Sequence, residues 1–515
     1  MSRPADPPKL SRRQLSQLVA GLALCALGYF LAHRDAPEVR IVLATAGGCN
    51  MPTDVYEPRS GSPLGTVVLL HGLSANKKVM PFTAQEFANQ DLRVFVPDLP
   101  GHGKTPGPFS PERAESCALA LVRDLAARKA IVLARTLLAG HSMGGAIATR
   151  VAAQIPVAGV IAISPAPMQP SKDVAAGLLL FPSHPPLASH SLVLSAAWEP
   201  APIREIASEL VSQSNDPSNE YAVIPQTSHV SILFAPASFD ALRRWTSRVL
   251  GTSSSAPFPA RHPALGCVLG LFGLALLVPP FLHEISPKTS HTTPADASIC
   301  KGTAAAFLRA ILTVVVVSLA AVAVLRFVNF FQILHIFQGG YFASLLFIVG
   351  IATLVLQRKD LPPLSYFFTS ATFAACAAAF VLLLLFGAWF ELTFYEAWLT
   401  AARWLRLPLL FLAVLPWHLS EELLLGTPAK SPSLQRLVLA LALRAIIWLS
   451  AVAAIFYLHS GQFVFVLLFG YFAAFSVLQR LAMDAFRVRT SSPSAAAVFG
   501  AILLAGFVLA ILPVA

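Results

Sequence analysis

The sequence predicts an α/β domain with a doubly wound, mostly parallel sheet, joined to an all-α transmembrane helical domain. Three observations carry this expectation. Charge density falls abruptly near residue 260, short apolar runs alternate with helical stretches before that point, and long uncharged apolar runs follow it. Across 515 residues, hydrophobic types make up 56% and charged types 12%, far fewer charges than an ordinary soluble domain carries. Residues 1–260 hold 22 Lys+Arg and 18 Asp+Glu, whereas residues 261–515 hold 15 and 8. This composition excludes a fibrous or disordered chain, and six scattered cysteines do not make a disulfide scaffold. The net charge of +11 would suit nucleic acid, but no zinc-ligand spacing, phosphate loop or base-stacking motif accompanies it. Lys and Arg sit instead in short loops beside apolar spans.

The elements follow in order. Residues 1–35 read as a cytoplasmic N-terminus and a signal-anchor helix, with Lys9, Arg12 and Arg13 ahead of the apolar run 18–32. Cleavage is disfavoured because the small-x-small site, Ala26-Leu27-Gly28, lies inside that run. Residues 36–250 form the α/β domain. Strands are expected at 66–70, 93–96, 136–139, 157–163, 191–194 and 220–224, with helices at 84–89, 112–130 and 146–154. Continuous apolar strands alternating with helices argue for a parallel sheet covered on both faces. After a linker at 251–263 come eight apolar runs, nine with the anchor, at 264–282, 303–325, 341–356, 366–390, 405–419, 437–458, 463–478 and 495–514. Most approach the length of about 20 residues that a spanning helix needs. With the N-terminus inside, the inner loops carry Lys288, Lys301, Arg358, Lys359, Lys430, Arg436, Arg480, Arg487 and Arg489. The outer ones carry Glu391 and Glu396 instead, which places residues 36–260 outside the cytoplasm.

In such sheets chemistry gathers at the carboxyl ends of the strands. The strand at 136–139 runs into Gly140-His141-Ser142-Met143-Gly144-Gly145 and then a helix. This strand–turn–helix setting strains the serine backbone, exposes its Oγ and offers helix N-terminal N–H groups to an oxyanion. Alone the pentapeptide is weak, since a packed serine at a Gly-rich helix start reads the same. Its companions change the reading. His71-Gly72-Leu73 ends the strand at 66–70, and Asp98-Leu99-Pro100-Gly101-His102-Gly103 ends the strand at 93–96. Ser195-Ala196-Ala197-Trp198-Glu199 offers a carboxylate, and Gln226-Thr227-Ser228-His229 offers a base.

On these motifs, residues 50–250 resemble α/β-hydrolases of the monoacylglycerol lipase and serine aminopeptidase type. The resemblance implies Ser142 as nucleophile, His229 as the base that becomes the acid, and Glu199 as the group that orients it. It implies an oxyanion hole from the backbone N–H groups of Leu73 and Met143, and no cofactor or metal. Relatives usually place Asp in a Gly-x-x-Asp setting where Glu199 stands, so Asp173 and Glu205 are kept as fallbacks for the acid. Asp98 reads as a turn brace on another strand end, and His71, His102 and His141 as turn and rim structure. Between 164 and 191 there is room for a short apolar flap at 174–181, or simply for core packing, but not for a full helical cap.

In the membrane half, Arg309 and Arg444 fall inside apolar runs, where charge is costly and often functional. The segment Pro416-Trp417-His418-Leu419-Ser420-Glu421-Glu422 resembles the Glu-Glu signature of intramembrane prenyl-protein proteases. However, Gly426 stands where that signature has Arg. The expectation is a loop carboxylate pair partnered by Arg444 or Lys430. Taken together, the sequence points to a membrane-anchored serine hydrolase acting on acyl or lipid-type esters at the bilayer, with no nucleic-acid partner. Peptidase or acyltransferase chemistry would use the same triad. An inactive hydrolase-like binding module on a transporter or sensor is the reading from another class.

Overall fold

The computed structural model describes residues 11–515 except 59–60, 169–179, 182, 254–256, 286–303, 427–433 and 459–463. Its first helix, α1 (Arg12–His33), starts from a capping box in which Ser11 and Gln14 satisfy each other's backbone N–H groups.

Eight strands follow: β1 (Val39–Ala46), β2 (Cys49–Tyr56), β3 (Gly65–Leu70), β4 (Leu92–Pro97), β5 (Thr136–His141), β6 (Gly159–Ile163), β7 (Ser191–Ala196) and β8 (Glu220–Ile224). They form one sheet of order β1-β2-β4-β3-β5-β6-β7-β8. Neighbours from β4 to β8 pair in parallel, while β1–β2 and β2–β4 are antiparallel. The six expected strands are all present. The β1–β2 hairpin was not expected, because Ile41 and Leu43 on β1 face outward and blur the apolar pattern. Its turn, Gly47-Gly48 with both φ positive, is the signal that was there to find.

Helices α2 (Pro81–Ala88), α3 (Pro111–Ala127), α4 (Met143–Ala152), α5 (Ala201–Ser212) and α6 (Pro236–Leu250) cover the sheet. The period-2 rule divides the central strand β3 between two cores. Val68 and Leu70 pack with Leu121, Leu138 and Ile147, whereas Val67 and Leu69 pack with Phe87, Leu137 and Trp245. A disulfide joins Cys49 of β2 to Cys117 of α3, 68 residues apart.

The rest of the chain is helical: α7 (Pro263–Ile285), α8 (Ala304–Leu325), α9 (Gly339–Leu356), α10 (Ser370–Thr393), α11 (Ala401–Trp404), α12 (Leu407–Leu425), α13 (Leu434–Tyr457), α14 (Val464–Leu467), α15 (Phe469–Thr490) and α16 (Pro493–Ile511). Among the described residues eight helices are long and apolar enough to cross a membrane: α1, α7, α8, α9, α10, α12, α13 and α16. The expected count was nine. The run at 463–478 is instead divided between α14 and α15, and α15 continues into Arg480, Asp484, Arg487 and Arg489.

Small residues let α1 and α7 touch backbone to backbone. A Cβ on Gly28 would stand 2.5 Å from the Gly266 carbonyl oxygen, and one on Gly273 would stand 2.6 Å from that of Gly21. Where the helical half meets the sheet, three of its loops share the contact. Phe337 packs edge-on to Phe109 at 5.1 Å, Arg403 donates to the Gly101 carbonyl at 3.2 Å, and Val514 exchanges backbone hydrogen bonds with Gly101 and Phe109.

Candidate active site

Ser142 stands between β5 and α4 with φ 54° and ψ −118°, a conformation that costs a non-glycine residue roughly 1–3 kcal/mol. Packing holds it there. The turn is so tight that a Cβ on Gly140 would meet the Gly144 carbonyl at 2.2 Å, and one on Gly144 would meet the Leu70 carbonyl at the same distance. The Ser142 N–H donates to Ile163 of β6 at 2.9 Å, and its carbonyl accepts from Ala146 and Ala166.

The structure brings Glu199 and His229 together. Glu199 Oε1 lies 2.6 Å from His229 Nδ1, while Oε2 accepts the Ala196 N–H at 2.9 Å. Glu199 is buried, and His229 is partly open to solvent. The two loops that carry them are tied by backbone bonds, Ala197 to Ile224 and Trp198 to Thr227. Sequence reasoning missed Arg204, which donates to the carbonyls of Ala197 and Glu199 and pins the acid loop. The extra methylene of Glu is absorbed by folding the side chain back onto its own strand end. Of the fallback acids, Glu205 makes no hydrogen bond or ion pair with His229 among the described residues, where Glu199 is its carboxylate partner, and Asp173 lies outside the described residues, as does most of the expected flap at 174–181.

His141 Nε2 lies 2.6 Å from the His229 carbonyl, and the two rings stack obliquely at 4.8 Å. This sets the His229 loop beside Ser142, although no Ser142 Oγ–His229 hydrogen bond forms among the described contacts. Such bonds often tighten only with substrate. Burial pushes His141 down to about 3 and His71 to about 4, and holds His102 well below the usual range. All three rings are therefore neutral at pH 7. His71 accepts the Leu99 N–H on Nε2 and donates from Nδ1 to the Gly72 carbonyl, joining the Leu73 loop to the Asp98 turn. The N–H groups of Leu73 and Met143 have no hydrogen-bond partner among the described residues.

Asp98 braces its turn as expected. Its carboxylate accepts the backbone N–H groups of Lys77 (2.8 Å) and Lys104 (3.3 Å). It also pairs with the Lys77 ammonium at 3.1 Å, and Lys77 bridges onward to Glu396 of the helical half.

The Glu421–Glu422 pair lies within α12 rather than in a loop. Among the described residues four arginines from α13 and α15 neutralise it and Asp484. Arg444 and Arg480 reach Glu421 at 2.6 and 3.2 Å. Arg480, Arg436 and Arg487 reach Glu422 at 2.6, 2.9 and 3.5 Å. Lys430 lies outside the described residues. Among those described, no group of three or more His, Cys, Asp or Glu side chains could hold a metal ion.

Residues 67–270 match the alpha/beta hydrolase family. The fold of this domain is that of an α/β-hydrolase. Solved structures similar to the chain include a thermophilic esterase from Thermogutta terrifontis, at 17% identity, TM-score 0.33, 41% of this chain and 99% of the other. A Pyrococcus furiosus esterase is similar at 16% identity, TM-score 0.35, 42% and 92%. A lidless serine hydrolase from Xanthomonas campestris is similar at 17% identity, TM-score 0.34, 43% and 97%. No curated protein matches the sequence.

Proposed function

We propose that the chain is a membrane-anchored serine hydrolase that cleaves carboxylic esters of acyl or lipid type through an acyl-enzyme. The observation that carries this reading is the Glu199–His229 pair at 2.6 Å, beside a serine held at φ 54° on a glycine-lined elbow. Ser142 Oγ attacks the ester carbonyl as His229 Nε2 takes its proton. Glu199 keeps Nδ1 protonated and favours the imidazolium. The oxyanion is received by the Leu73 and Met143 N–H groups, with the N-terminus of α4 behind the second. On collapse, His229 returns the proton to the departing alcohol. Water then attacks the acyl-enzyme by the same route, regenerating Ser142.

Membrane anchoring rests on the eight apolar helices and on the close packing of α1 against α7, which supports an anchor retained in the folded chain. The extracytoplasmic side is supported by the charge asymmetry of the loops and by the Cys49–Cys117 disulfide, since such bonds persist in oxidising compartments. Labelling of membranes with a fluorophosphonate probe tests the chemistry. The wild type should label and Ser142→Ala should not. Folded wild-type protein that does not label would overturn the reading.

A further inference from the structure

The loop that follows β3 carries Leu73 and then runs through Ser74, Ala75 and Asn76 into Lys77. Ser74 has φ 58°, a left-handed conformation that a serine keeps only under restraint from outside. The inner side of this loop is restrained by its own domain, through His71 and the Asp98 carboxylate. The outer side is restrained by the helical half. Tyr395 Oη donates to the Ser74 carbonyl at 2.9 Å, and Asn76 Nδ2 donates to the Glu396 carbonyl at 3.5 Å. The Lys77 ammonium is clamped between Asp98 and Glu396, all three buried. The Tyr395–Glu396 turn between α10 and α11 thus holds Ser74, Asn76 and Lys77, a stretch that begins one residue after Leu73.

We propose that Tyr395 and Glu396 of the helical half are positioning residues for the oxyanion hole, setting where the Leu73 N–H stands. The proposal rests on the serine-hydrolase reading above. It assigns the helical half a role in turnover besides anchoring. An oxyanion donor acts only when it lies about 2.7–3.1 Å from the developing charge, so a small drift of the Ser74 carbonyl is felt in kcat. A bound ester in its ground state does not yet use that donor fully, so KM is nearly indifferent.

The clamp also has a pH dependence of definite sign. Burial, and then the neighbouring Asp98, push the Glu396 carboxyl up to about 7. Lys77 and Asp98 face it directly, Lys104 lies 3.9 Å away, and Asp54, His71, Tyr395 and Arg403 are further titratable or charged groups that act on it. Burial pushes Asp54 itself up to about 6. Below about pH 7 Glu396 is protonated and resembles Gln, and above it the ionised form grips Lys77.

The test uses full-length protein in detergent, a short-chain p-nitrophenyl ester, and the rate of fluorophosphonate labelling. Tyr395→Phe should lower kcat about three- to tenfold, with KM changed less than twofold and labelling slowed in step. Glu396→Gln should match wild type near pH 5.5 and fall about tenfold behind it near pH 8.5, a ratio in which any titration of the triad cancels. Variants that label and turn over like wild type at every pH would overturn the proposal. So would a deficit that is constant with pH and parallels lost thermal stability. If Glu396→Gln does not fold, the single hydroxyl removed in Tyr395→Phe decides alone. Failure of the serine-hydrolase reading is separate and visible, because wild type would then label no more than Ser142→Ala.

Discussion

The sheet domain and the helical half both bury carboxylates, and those at strand ends are held differently from those inside helices, among which Glu86 of α2 pairs with Arg243. In the sheet domain two buried acids, Asp98 and Glu199, stand just past strand ends, where the turn leaves backbone N–H groups free. Asp98 takes those of Lys77 and Lys104, and Glu199 takes that of Ala196. In the helical half the backbone of α12 satisfies itself, so Glu421 and Glu422 have no main-chain donors to use. They are met by guanidinium groups from neighbouring helices instead. A turn can therefore hold one acid in a chosen place for chemistry, whereas a helix bundle holds acids only as members of a side-chain network. The first arrangement leaves Glu199 with one oxygen to give to His229. The second spends its carboxylates on packing.

The comparison can be broken at several points. The largest effect is expected for Glu199→Gln, which keeps the shape but not the charge against His229. Turnover of a p-nitrophenyl ester should fall by about 10⁴-fold with folding intact. A loss of less than tenfold would mean that another acid serves. Next is Arg480→Leu, which removes a guanidinium that touches Glu421, Glu422 and Asp484 together. Stranding buried charge in this way costs about 3–5 kcal/mol, read as a large drop in melting temperature in detergent. An unchanged melting point would show that the network does not hold the bundle. Cys49→Ser should destabilise the sheet domain by about 2–4 kcal/mol, and reducing agent should do the same to wild type and nothing further to the variant. The smallest effect is Arg128→Ala, whose partner Asp124 lies one turn away on the exposed face of α3. A change under about 0.5 kcal/mol in chemical denaturation is expected there.

How far the site was legible follows from the same contrast. Ser142, His229 and Glu199 could be proposed from sequence because each sits just past an apolar strand, with glycines or turn residues marking the place. The braces could not. Nothing near Arg204 announces that its guanidinium closes the Glu199 loop. Glu396 read only as a charge on the outer side of a span, some 300 residues from the Lys77 it holds.

By itself, the sequence determined the two-part architecture, the six parallel strands, the elbow and the chain order of the residues proposed as a triad. These follow from periodicity and turn chemistry, which act over a few neighbouring positions. Only the tertiary structure decided that β1 and β2 extend the sheet as a hairpin, that Cys49 meets Cys117, and that the run at 463–478 breaks into two helices. It also decided that, among the described residues, four arginines close around Glu421 and Glu422, and that the Tyr395–Glu396 turn lies against the Leu73 loop. Each of these depends on which distant surfaces come within a few ångströms once the chain is closed, and buried charge finds its partner only then.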